Sequence, residues 1–123
     1  MNTTLNGLHP TVAAYLATTN RHDSAAFLAC FADDAVVDDA GRVSRGIDAI
    51  RSWSEREIFA PNVTFELLAA SREGDETVVT TRVEGNFDRT GLPDPVIIDH
   101  HITAVGGKIV GLTCRLAGER PGT

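Results

Sequence analysis

The run Val96-Ile97-Ile98-Asp99-His100-His101-Ile102-Thr103 constrains the fold most, because it has the branched apolar residues of a buried strand and interrupts them with one acid and two imidazoles. Strand alternation puts Ile97, Asp99, His101 and Thr103 on one face and Val96, Ile98, His100 and Ile102 on the other. An unpaired charge in a closed core costs far more than one side chain gains. An acid there needs hydrogen-bond partners, a lost charge, or a pocket to face. The expectation is that the face carrying Asp99 and His101 lines a pocket.

The chain ahead of this strand starts helically. Leu8, Val12, Tyr15, Leu16 and Thr19 recur at three and four residues, giving a helix over Leu8 to Asn20 with Pro10 in its first turn and Tyr15 on its inward stripe. Asp23 can cap a second helix whose inward face is Ala26, Phe27, Cys30 and Phe31. Ala32-Asp33-Asp34 ends it, and Ala35 to Asp39 reads as a short strand with Ala35, Val37 and Asp39 on one face. Ala40 to Gly46 reads as a turn, after which Ile47, Ile50, Trp53 and then Glu57 or Ile58 mark a third helix stopped by Pro61.

Everything after Pro61 reads as sheet. Val63, Phe65, Leu67 and Ala69 alternate with polar residues, Glu73 to Glu76 turns the chain, and Val79 to Phe87 alternates back. A loop over Asn86 to Pro95 leads into the opening strand; Gly106-Gly107 then turns into a last strand, Ile109 to Leu116, with a polar tail from Ala117 to Thr123. Three helices on one face of an antiparallel sheet make an α+β arrangement in one domain over residues 1–123. Gly85 and Gly111 inside strands offer places for the sheet to bend, leaving a cone-shaped cavity for a ligand.

Charge narrows the partners. A net charge of -6 with Lys108 as the one lysine provides no basic face for nucleic acid or an anionic membrane. Cys30 and Cys114 sit among apolar residues and read as reduced core thiols of a cytoplasmic protein, and the N-terminal residues lack the basic start and apolar run of a secretory signal. His100 and His101 are neighbours on a strand and point apart, so they cannot share a metal ion, and no spaced ligand cluster accompanies them. No metal or cofactor is expected.

Three side chains converge by periodicity: Tyr15, Asp39 and Asp99. Proton shuttling next to a carbonyl uses such a set. An ionised carboxylate takes a proton from the α carbon, and a phenol and a protonated carboxylic acid hold the enolate oxygen. Asp99 among isoleucines is the acid to be kept neutral by desolvation, and Asp39 at a strand end the one to keep its charge. His101 is the alternative acid or base on the Asp99 face; if it held Asp99 charged, Asp99 could not donate. Val37, Gly85, Leu112, Cys114, Leu116 and Trp53 complete the expected pocket wall.

The segments Tyr15 to Asp23, Phe31-Ala-Asp-Asp-Ala-Val-Val-Asp-Asp39, Arg45-Gly-Ile-Asp-Ala-Ile-Arg51, Ile97-Ile-Asp-His100 and Gly107-Lys-Ile-Val110 resemble the bacterial Δ5-3-ketosteroid isomerases, which belong to the NTF2-like superfamily with the SnoaL-type polyketide cyclases. The resemblance covers nearly the whole chain. It implies the NTF2-like fold, a cone-shaped curved sheet with three helices enclosing a pocket, in a homodimer. By position it also implies Asp39 as general base and Tyr15 and Asp99 as the two oxyanion donors, roles that ketosteroid isomerase is known for. The isomerase's proline after the base is replaced here by Ala40, a pocket tyrosine by Ser54 and pocket phenylalanines by His101 and Gly85, which weakens the case for a steroid. The expected activity is isomerase-like proton transfer on an apolar carbonyl-containing small molecule. Polyketide cyclisation and a non-catalytic binding or dimerisation module are the alternatives.

Overall fold

The computed structural model describes residues 8–117, so the stretch before Leu8 and the polar tail after Ala117 lie outside the described residues. Helix α1 spans Pro10–Asn20 and α2 spans Ser24–Ala29; strand β1 is Phe31–Asp39 and β2 is Arg42–Arg45; α3 is Ile47–Ser54, followed by a π-helical turn over Glu55–Phe59. The long strands are β3 at Thr64–Glu73, β4 at Glu76–Glu84, β5 at Ile97–Val105 and β6 at Lys108–Leu116.

Local chemistry accounts for the helices. His9 caps α1 by accepting the Thr11 backbone N–H at Nδ1, with Pro10 in the first turn where no N–H is needed. The buried Thr18 and Thr19 hydroxyls donate back to carbonyls of Ala14 and Tyr15, so they cost little inside the helix. Asp23 caps α2 through the Ala26 N–H, as expected. Where α1 ends, Asn20 behaves like a strand residue: its amide donates to the Phe65 carbonyl at 2.9 Å and accepts the Phe65 N–H at 2.8 Å, fastening the helix to β3.

The sheet order is β2-β1-β6-β5-β4-β3. Two details differ from expectation. The segment Arg42–Arg45, expected as a turn, is an edge strand paired to β1 through a hairpin in which Ala40 and Gly41 both take positive φ; its arginines and exposed Val43 hide the strand signal. β1 also starts at Phe31, ahead of the expected Ala35, and pairs in parallel with β6, so the sheet is not antiparallel throughout. A register shift between Phe31 and Val36 carries the exposed Asp33-Asp34 past the ladder.

Further register shifts at Leu67/Ala69 and Thr103/Ala104 add bends to the open sheet. The helices cover its inner face, where Val37, Val79, Val83, Ile102 and Leu112 are buried with Phe27, Phe31 and Ile50. Every aromatic ring except Phe87 belongs to one contact cluster running from Phe59 through Phe27 and Tyr15 to Phe65. Gly85, just beyond β4, is required by close approach: its φ is +154°, and a Cβ would stand 3.0 Å from the Pro61 carbonyl oxygen. Cys30 and Cys114 are both free and buried, and no described helix is long and apolar enough to cross a membrane.

Candidate active site

Register builds the site. Asp39 on β1 lies opposite Cys114 on β6, Cys114 opposite His100 on β5, and His100 opposite Val79 on β4. These residues form one row across the inner face of the sheet. Three of them, Asp39, Cys114 and His100, line a cavity of about 410 Å3, within the usual size for small-molecule sites. Phe65, Val83, Val96, Ile98 and Leu116 supply apolar wall, and Tyr15 reaches it from α1.

His100 is the centre of a buried polar chain. Its Nδ1 lies 2.9 Å from the Tyr15 hydroxyl and its Nε2 lies 2.9 Å from the Thr81 hydroxyl. The imidazole also meets Phe65 edge-on at 4.6 Å between centroids. Burial, with a smaller contribution from His101, pushes its pKa down to about 3, so the ring is neutral at physiological pH. The Cys114 sulfur lies 3.8 Å from the same Nδ1. Burial and then the Asp39 charge push the Cys114 thiol well up, which makes it a poor nucleophile. Tyr15 is likewise raised, first by burial and then by Cys114 and Asp39, and stays a phenol.

Asp39 stands at the other end of the row. Its Oδ2 accepts the Trp53 indole N–H at 3.0 Å, which orients the carboxylate and leaves Oδ1 without a protein donor among the described residues. At the rim, Arg42 pairs with Glu57 at 3.7 Å, and the π-helical turn carries Glu57 and Ile58 to that edge. Among the described residues no three histidine, cysteine, aspartate or glutamate side chains gather as a metal site.

Of the residues expected at the pocket, Tyr15, Asp39, Trp53, Cys114 and Leu116 line it. Asp99 and His101 do not. The inner face of β5 is the one with Ile98, His100, Ile102 and Ala104, so Asp99 projects from the opposite face, where its carboxylate accepts the Thr80 hydroxyl at 2.6 Å. His101 shares that outer face and approaches Glu76 at 3.5 Å. Val37 and Leu112 belong to the packed core beyond the cavity, and Gly85 serves the backbone contact with Pro61. His100 and Thr81 take the interior positions that the sequence reading had not assigned to the site.

A sequence profile described as a SnoaL-like domain matches residues 12–112. The chain belongs to the SnoaL-like family. No curated protein matches it. Among solved structures, this SnoaL-like chain is similar to a proposed polyketide cyclase from Sinorhizobium meliloti at 28% identity and a TM-score of 0.82, covering 91% of this chain and 99% of that one. A hypothetical protein with a ketosteroid isomerase-like fold from Catenulispora acidiphila, solved with trimethylamine, matches at 22% identity and TM-score 0.74 over 89% of this chain and 86% of that one. A Mycobacterium tuberculosis protein bound to estradiol-17β-hemisuccinate matches at 20% identity and TM-score 0.73 over 88% and 92%. The NTF2-like architecture of the SnoaL-like chain, helices against a curved open sheet, is the fold these proteins share.

Proposed function

We propose that the chain catalyses proton transfer at a carbon next to a carbonyl in an apolar small molecule, with Asp39 as the carboxylate that moves the proton and Tyr15 as the donor to the oxygen. The observation that carries this reading is the setting of Asp39: one oxygen held by the Trp53 indole, the other without a protein donor among the described residues, in the same apolar cavity as a buried phenol. The carboxylate removes the proton as the C–H electrons enter the enolate, and the Tyr15 hydroxyl holds the oxygen as its charge develops. Returning the proton from Asp39 to the γ carbon shifts a double bond and restores the carboxylate. Nothing else is consumed.

The ligand of the M. tuberculosis protein is a steroid ester, which supports a polycyclic small molecule as the ligand class. A second reading keeps Asp39 and changes the fate of the enolate. Its carbon attacks a second carbonyl of the same molecule, forming the C–C bond, and the resulting alkoxide takes the proton back from Asp39. The outward position of Asp99 favours this cyclase-type reaction, which needs one carboxylate, as does the likeness to the S. meliloti protein. The reading includes a cytoplasmic location and a homodimer; light scattering in solution checks the second.

Deuterium exchange at the α carbon of a panel of cyclic ketones, followed by NMR in D2O, tests the shared step. Exchange by the native protein that is lost in Asp39→Asn supports the reading, and equal exchange by both proteins rejects it. Conversion of a 3-keto-Δ5 steroid to its conjugated enone, followed by absorbance, separates isomerase from cyclase.

A further inference from the structure

We infer that Thr81 and His100 are positioning residues that fix one imidazole tautomer and thereby leave the hydroxyl hydrogen of Tyr15 free for a carbonyl oxygen in the cavity. The inference rests on the role given to Tyr15 above. It follows from counting hydrogens in the chain Thr81–His100–Tyr15. Apart from the long, weak contact of the Cys114 thiol with Nδ1 at 3.8 Å, the two hydroxyls and the neutral ring bring one polar hydrogen each, while the chain contains two links, Oγ1 to Nε2 and Nδ1 to Oη. One hydrogen is left over. It resides at one end or the other.

If the ring carries its hydrogen on Nε2, it donates to Thr81, Tyr15 donates to Nδ1, and the spare hydrogen belongs to Thr81. That hydroxyl is fully buried, does not border the cavity and has no other partner among the described residues. A buried donor left without an acceptor costs about 1–3 kcal/mol. If the ring carries its hydrogen on Nδ1, Thr81 donates to Nε2, His100 donates to the Tyr15 oxygen, and the spare hydrogen belongs to the phenol on the cavity wall. There it faces the cavity, where a carbonyl oxygen can accept it. The second arrangement avoids the orphan. It also strengthens Tyr15, since a phenol that accepts one hydrogen bond donates the next one better.

Neither partner touches the ligand in this scheme; both act through Tyr15. The one tyrosine of the chain is therefore pre-aimed by a threonine on β4 and a histidine on β5. Two readouts test this in the intact protein. Long-range 15N–1H spectra of histidine-labelled protein give the tautomer of His100 directly: hydrogen on Nδ1 is expected, and hydrogen on Nε2 overturns the inference. Thr81→Val, nearly isosteric, removes the partner of Nε2 from both tautomers and with it the orphan hydroxyl that excludes Nε2–H; the ring is then expected to populate both tautomers, and Thr81→Ser to restore Nδ1–H.

Acetophenone serves as the carbonyl probe. Its infrared C=O stretch is expected at lower frequency when bound to the native protein, unshifted in Tyr15→Phe, split between the lowered and free values in Thr81→Val and again wholly lowered in Thr81→Ser. Affinity for acetophenone is expected to fall about twofold in Thr81→Val, as the tautomer that frees the Tyr15 hydrogen drops to roughly half of the population. An unchanged stretch and tautomer in Thr81→Val overturn the positioning role. Nδ1–H that follows Thr81 as described, with α-exchange failing in the native protein, upholds the relay and rejects the proposed reaction instead.

Discussion

The two faces of β5 put neighbouring residues to opposite uses. On the inner face His100 is buried, holds hydrogen bonds at both ring nitrogens and stays neutral; one residue away on the outer face, Asp99 and His101 are half-buried and find partners in Thr80 and Glu76. Residue type does not decide which of them reaches the cavity. An acid attracts attention as the chemical group in an apolar strand, but the sheet places inward whichever face has more apolar area to bury, and His100 travels with Ile98, Ile102 and Ala104. Burial then makes the histidine the shielded residue and leaves the acid to a short hydrogen bond near solvent.

Substitutions can break this contrast in order of effect. The largest is expected at the far end of the inner row: Asp39→Asn should lower α-exchange by ~10²-fold or more while the thermal midpoint stays close to native. Next comes the pH response of His100. Its folded pKa of about 3 lies below the unfolded value near 6.5, so the unfolded chain binds the extra proton between those limits. Stability from this group is complete above pH 6.5 and is lost as pH falls toward 3, at a slope of up to about 1.4 kcal/mol per unit. Urea unfolding at pH 7 and pH 4.5 reads it, and His100→Gln should flatten the difference.

The outer face should respond weakly. Asp99→Asn keeps an acceptor for Thr80 and is expected to cost about 1 kcal/mol, read by urea unfolding, with α-exchange unchanged. A hundredfold loss of exchange there would reverse the assignment of the two faces. The smallest effect is expected at His101→Gln, because an exposed pair at 3.5 Å contributes little; under ~0.5 kcal/mol and no change in exchange are predicted.

Much of the site was legible. Helical spacing put Tyr15 inward and strand alternation put Asp39 on the face of Val37, and both border the cavity or its core. The resemblance identified the family and the fold as well. Facing was misjudged on β5, although the signal was present: Val96, Ile98, Ile102 and Ala104 outnumber the apolar residues on the Asp99 face. Thr81 interrupts an otherwise apolar inward series between Val79 and Val83, a legible anomaly whose partner is set only by the register of β4 against β5. β2 was hidden because an exposed, charged edge strand lacks the alternation that burial imposes.

The parallel pairing of β1 with β6 has a consequence for how the molecule comes into being. Asp39 and Cys114 face each other across a ladder that joins an early strand to the last one, so nearly the whole described chain has to be made before that wall can close. Contacts of such long sequence separation form slowly, since the loop between them must be ordered first. On the ribosome the pocket would be the last thing assembled, with the helices and the β3–β4 hairpin formed while Asp39 still waits for the strand that seats it.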